Sequence, residues 1–273
     1  MELRSWGTVP AEGLILLLLR RFTEGKLDDH ALAETLEFVL SFMARRMLAG
    51  FEPQLHKDIF VRAAQRLRAR GELEGEDLVE FLRYTLSRGT DVRSWPTTDL
   101  VIERATSNSL YTDPRSHWVK SILLRAAGAL RTPDDAAPKP EKLKVAHVMP
   151  ESLTPEWAND LIGWGVEHPA GLHQLRVQVL GNLTLIDDDA TLEDMTFDQE
   201  RVVLEASGLA INRTVSEEPA WTGVQVDARS AQLAMLVCQT YAVPMDRETL
   251  QGSRFADASD DTALSEPDLD EDA

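Results

Sequence analysis

A mostly helical α+β chain is what the 273 residues predict, and three observations carry that prediction. Apolar side chains recur at helical spacing through the first 130 residues. A proline-rich break covers 131–142. Two short β-rich segments then follow among further helical patterns. The expected organisation is a helical domain over 1–130, a linker over 131–142, a small mixed domain over 143–255 ending in a helix, and an acidic tail over 256–273.

Residues 11–23 form the first helix, leucine-rich on most faces and therefore buried. Asp28 and Asp29 stand where a helix start is capped or charged, and Leu32, Leu36, Val39, Met43 and Met47 follow at helical spacing. Gly50 closes that helix with a left-handed cap. Further helices are expected over 57–70, 75–86, 97–106 and 117–130, the last turning Trp118, Val119 and Ile122 to Leu124 inward. Three prolines between Arg131 and Pro140, with no apolar period, mark the linker. A strand over 143–148, a helix opening at Thr154-Pro155-Glu156, and a loop come next. A strand over 177–186 interrupted by Gly181-Asn182, an acidic loop over 187–194, a helix over 196–207 and a final helix over 226–241 complete the chain. Val226, Leu233, Leu236 and Val237 face inward from that last helix. The tail from Ala256 carries eight acids and no base and reads as disordered.

Composition narrows the function classes. The longest apolar run, Leu14 to Leu19, is closed by Arg20-Arg21, and a membrane span needs about 20 residues. No signal-peptide pattern precedes it. Cys238 is the only cysteine, which excludes an internal disulfide and a cysteine zinc cage. A cytoplasmic protein with no membrane partner fits. The net charge of −18 is uneven: residues 1–140 hold 20 Lys+Arg and 20 Asp+Glu, and residues 141–273 hold 8 against 26. A nucleic-acid binder ordinarily shows a basic footprint, so the second half does not bind DNA tightly by charge alone.

Two segments point to chemistry. Ala146-His147-Val148-Met149-Pro150-Glu151-Ser152-Leu153-Thr154-Pro155-Glu156-Trp157 resembles an "EHIMPQTLTPEW" motif, and Leu180-Gly181-Asn182-Leu183-Thr184-Leu185 resembles "LGNLTL". Both belong to the C-terminal HNH-like nuclease domain of GmrSD-type, modification-dependent restriction endonucleases. Asn212-Arg213 and Trp221 fall where that family has "NR" and a tryptophan before its last helix, and Phe42 to Gly50 resembles its "YLVRRALCG" pattern. The resemblance spans roughly residues 11–245. It implies that 143–255 folds as a ββα-metal domain and that the substrate is DNA. It also implies that His147 is a general base for phosphodiester hydrolysis, that Asn182 orients it, and that a divalent cation, Mg²⁺ by preference, stabilises the developing charge. The family's upstream ParB-like, nucleotide-handling domain has no counterpart in this sequence, which implies either a fragment or a split gene whose sensor is a separate subunit.

The departures from the family bear on activity. Ala146 stands where the family has an acid, removing one expected metal ligand. In the acidic segment 189–200, two expected asparagines are Asp189 and Asp194, which suit Mg²⁺, and an expected lysine is Glu200. One of Asp189 and Asp194 is therefore the expected ligand, although Asp187-Asp188-Asp189 also suits a solvated loop. Arg62, Arg66 and Arg70 form one helical stripe that could follow a phosphate backbone or pair with Glu72, Glu74 and Glu76. Arg45-Arg46 reads as structural. Trp157 and Trp221 read as core anchors, and His30, His56, His117, His168 and His173 have no partner at metal-ligand spacing. Two function classes lead: a DNA endonuclease subunit of a bacterial defence system, and a catalytically inactive scaffold or regulatory subunit for the sensor. A third, an acidic surface that mimics DNA, has less support because part of the charge is in the tail.

Overall fold

The computed structural model describes residues 9–256 except 53, 112–115, 134 and 136. The tail expectation lies outside the described residues from 257 onward, as do the side chain of His117 and the residues before 9. Six helices come first: α1 Glu12–Thr23, α2 Asp29–Leu48, α3 Gln54–Ala69, α4 Gly75–Ser87, α5 Thr98–Ala105 and α6 Ser116–Leu130. Then follow β1 Leu143–His147, α7 Pro155–Gly163, α8 Pro169–Arg176, β2 Leu183–Asp187, α9 Phe197–Ala206, α10 Ala210–Ser216, α11 Gly223–Thr240 and α12 Arg247–Gly252. The architecture is α+β, as the sequence implies.

Local chemistry explains the boundaries. The Asp28 side chain accepts from Ala31 N at 2.8 Å and opens α2, and Gly50, at φ +76°, closes it. Every residue from Phe38 to Leu48 is buried, so the second half of α2 is the axis of the helical part. That burial includes Arg45, whose guanidinium donates to the carbonyls of Pro96, Cys238 and Ala242 and to Thr98 Oγ1. The expected structural arginine therefore ties α2 to both α5 and the end of α11.

β1 and β2 pair antiparallel, with Leu143 opposite Asp187 and His147 opposite Leu183. The expected strand over 177–186 is corrected: Leu180–Asn182 is a 3₁₀ turn, and the ladder begins only at Leu183. Close packing is the reason. A Cβ on Gly181 would lie 1.9 Å from Val226 O, and Gly181 N donates to Ser230 Oγ at 2.8 Å, so the turn is bonded to α11 instead of a neighbouring strand. α8, which opens with Pro169 at its first turn, and α10 lie where the sequence showed no helical period. α11 starts three residues earlier than expected because Thr222 and Gln225 form a capping box.

The packing runs across the linker. One hydrophobic cluster joins Leu14, Phe42 and Ile122 of the helical block to Leu143, Leu183, Leu233 and Val237. α11 packs on α5, α6 and the Gly181 turn. A second cluster, built on Met149, Trp157, Phe197 and Trp221, lies beneath the loop after β1, and both tryptophans are fully buried, as anchors should be. Within the linker stretch, Asp135 pairs with Arg213 of α10.

Arg229 of α11 is 3% exposed and, among the described residues, faces no carboxylate. All five of its N–H donors are used: Nε on Thr214 Oγ1, Nη1 on the carbonyls of Gly181 and Leu183, and Nη2 on Thr184 Oγ1 and Ile211 O. One guanidinium thus ties the turn, β2, α10 and α11 together. Burial lowers its pKa to about 9, which still leaves it charged at neutral pH.

Arg229→Met should lower stability by about 3 kcal/mol or more, because each buried acceptor left without a donor costs roughly 1–3 kcal/mol. Gly181→Ala should cost about 1–3 kcal/mol from overpacking against α11. Urea unfolding of the two variants measures both losses, and a midpoint equal to the unaltered chain's in either would contradict the corresponding packing argument.

Candidate active site

His147 ends β1, so its ring stands at the mouth of the two-stranded ribbon. Its Nε2 lies 3.0 Å from Gln178 Oε1 and 3.8 Å from a carboxylate oxygen of Glu151. The Tyr111 ring meets the imidazole edge-on, with centroids 5.0 Å apart. Burial lowers the pKa of His147 below its ordinary 6.5, with help from nearby His173, while Gln178 and Glu151 act in the opposite sense. His173 Nε2 in turn donates to Pro150 O at 2.7 Å and steadies the loop that follows the strand.

Asn182 is fully buried and does not touch the ring. Its Oδ1 accepts from Met149 N at 2.8 Å and from Trp221 Nε1 at 3.0 Å; its Nδ2 donates to Met149 O at 2.8 Å and Val177 O at 3.0 Å. Its own carbonyl accepts from Val148 N at 2.8 Å. Every hydrogen-bonding site on this side chain is used, two of the four on Met149, while the backbone carbonyl holds Val148. The structure therefore brings His147 and Asn182 to one place.

A cleft of about 460 Å³ opens over the ribbon, and Tyr111, Lys144, His147, Glu151, Glu193 and Asp194 are among its walls. Asp194 is thus on the cleft and holds a positive φ of 58°. Asp189 is exposed in the turn after β2 and is not part of the wall. Ala146 lines the cleft with a methyl group. Among the described residues no three His, Cys, Asp or Glu side chains are grouped so as to hold a metal ion. The donor set in place therefore does not fit a ready-made divalent cation site.

Residues 96–236, more than half of the chain, match the model of a family described as GmrSD restriction endonucleases, C-terminal domain. The chain belongs to that family. No curated protein and no solved structure matches it. The GmrSD match contains β1, β2, His147 and Asn182 and begins just ahead of α5. The likeness drawn from Phe42 to Gly50 falls outside the matched residues.

Other residues of this GmrSD-type chain take places the sequence did not show. Asn212, in the Asn-Arg pair, accepts from Thr184 Oγ1 at 2.5 Å and donates to Leu185 O at 2.9 Å and Ser207 Oγ at 2.8 Å, so it braces β2. Gln178, Tyr111 and Glu151 were not singled out. Glu151, four residues after His147, had a signal in that spacing; Tyr111 had none. Arg229 had one, since it falls between Val226 and Leu233 on the inward stripe of α11. Arg62 and Arg66 lie on α3 and Arg70 directly follows its end, and none of them lines the cleft; the Arg70 guanidinium sits 5.7 Å from the Phe81 ring centroid.

Glu200 of α9 is fully buried, and among the described residues neither carboxyl oxygen has a hydrogen-bond partner. The Trp157 indole beside it already donates to Met195 O at 3.1 Å. Burial pushes the Glu200 pKa from an ordinary 4.5 up to about 10, and the Asp160 charge adds to the rise. The folded chain therefore keeps a proton here that the unfolded chain releases above about pH 4.5. Stability falls as pH rises from about 4.5 toward 10, because the unfolded state binds fewer protons across that window. Glu200→Gln removes this dependence. Its melting temperature should exceed that of the unaltered chain by a margin that widens between pH 5 and pH 9; a constant margin would show that Glu200 is not held protonated.

Proposed function

We propose that this chain is the DNA-cleaving subunit of a bacterial restriction or phage-defence system and hydrolyses phosphodiesters with His147 as general base. The supporting observation is a half-buried imidazole on a cleft wall, with the backbone behind it locked by Asn182. The ring is neutral near pH 7 because burial lowers its pKa. It takes a proton from a water whose oxygen attacks phosphorus, as one phosphorus–oxygen ester bond breaks and the departing sugar oxygen leaves. Asn182 positions the ring through the Met149 backbone, in the manner of a ββα-metal nuclease. A separate ParB-like subunit supplies recognition of the DNA. A divalent cation, Mg²⁺ in the first instance, belongs to the family reading. Of its two expected ligands Asp194 lines the cleft and Asp189 does not, and Ala146 lines it at the position where the family has an acid.

The cleft favours a second reading as well. Glu151, Glu193 and Asp194 face one ammonium, that of Lys144, and such a wall repels a polyanion. On that reading the chain is a catalytically inactive scaffold for the sensor subunit.

Nicking of supercoiled plasmid in Mg²⁺ or Mn²⁺, with and without the sensor subunit, separates the two. An active chain loses about 100-fold or more in rate on His147→Ala while keeping its melting temperature. Its rate rises with pH through a midpoint below 6.5 and is level above it, since the base works unprotonated. A chain that cuts nothing until Ala146→Asp is introduced is the scaffold.

A further inference from the structure

The groups around His147 decide which ring nitrogen is left to do chemistry, and this inference rests on the base role proposed for it above. Nε2 faces the Gln178 amide oxygen at 3.0 Å and a Glu151 carboxylate oxygen at 3.8 Å. A carboxylate only accepts hydrogen bonds, so a lone pair on Nε2 would point at negative charge, whereas a proton there is welcomed by both oxygens. In the neutral ring the lone pair then resides on Nδ1.

Gln178 makes the shorter of the two contacts from a fixed backbone. Its carbonyl accepts from Leu110 N at 2.8 Å and Tyr111 N at 3.3 Å, and Ser109 bridges Val179 beside it. The same bonds deliver Tyr111, whose ring packs edge-on against the imidazole. Glu151 stands farther off, with a side chain 63% exposed. We propose that Gln178 is the positioning residue of this site: it holds His147 as the Nε2–H tautomer and leaves Nδ1 as the nitrogen that accepts a proton from water. The charged and titratable groups around the ring are Glu151 from the loop after β1, His173 from α8 and Tyr111 from the segment after α5. Lys144, Glu193 and Asp194 stand on the cleft walls.

Long-range ¹H–¹⁵N NMR of the full chain, labelled at histidine, reads the tautomer and the titration of His147 directly. The unaltered protein should show a neutral ring protonated at Nε2. Gln178→Met, close in length but without a polar end, should give a mixture of both tautomers. Gln178→Glu should keep the Nε2–H form and raise the titration midpoint by on the order of one unit or more, since it sets a negative charge against the ring. In a chain that nicks DNA, the acid limb of its pH profile should move up with that midpoint. A ring protonated at Nδ1 in the unaltered protein overturns the proposal, as does an undiminished Nε2–H population in Gln178→Met. If Gln178→Met does not fold, the Gln178→Glu titration decides, and an unmoved midpoint overturns the proposal. The expected tautomer pattern in a chain that cuts no DNA would leave the Gln178 assignment standing and remove the nuclease reading.

Discussion

A single buried cation sets the terms for the rest of this molecule. Arg229 brings a full charge into the interior and meets it with carbonyl and hydroxyl oxygens alone. Such an arrangement is stable only if every donor is satisfied at once, since an unpaired N–H beside a buried charge is costly. The acceptors come from the turn at Gly181, from Leu183 and Thr184 of β2, from Ile211 of α10 and from Thr214. Their relative positions are thus fixed by the fork of one guanidinium. Asn182 sits inside that turn, and His147 is held through Asn182, so the geometry of the cleft descends from Arg229.

The GmrSD match and the packing agree about where the unit that builds this site begins. The matched residues open just ahead of α5. α5 and α6 are the helices on which α11 rests, and α11 is the helix that carries Arg229. The first four helices lie outside the match yet share the same hydrophobic cluster. Arg45 extends the connection by donating from α2 to the carbonyls of Cys238 and Ala242. His147 and Asn182 thus sit on a platform whose support reaches back to the first half of the chain.

Much of this was legible in the residues. Helical periodicity placed α1, α2 and α4 to within a residue or two, and the two short motifs paired His147 with Asn182. Three kinds of information were not written locally. The Gly181 turn reads as a strand because Leu180, Leu183 and Leu185 have strand character, and only the approach of α11 makes it a 3₁₀ turn. α8 and α10 are too short to show a period, being 8 and 7 residues long. Gln178 and Tyr111 converge on His147 from separate, distant segments, and contacts of that kind carry no spacing signature. The charge reversal at position 200 was visible, but its meaning depended on burial: Glu200 points into the core and does not line the cleft.

The shared hydrophobic cluster has a consequence for how this chain responds to a cut backbone. Leu143, Leu183, Leu233 and Val237 bury their side chains against the helices that precede the proline-rich stretch. Cleaving a peptide bond in that stretch would break the covalent path but leave the buried surface intact. The two fragments would stay together as a nicked complex and travel as one species until a denaturant pried them apart.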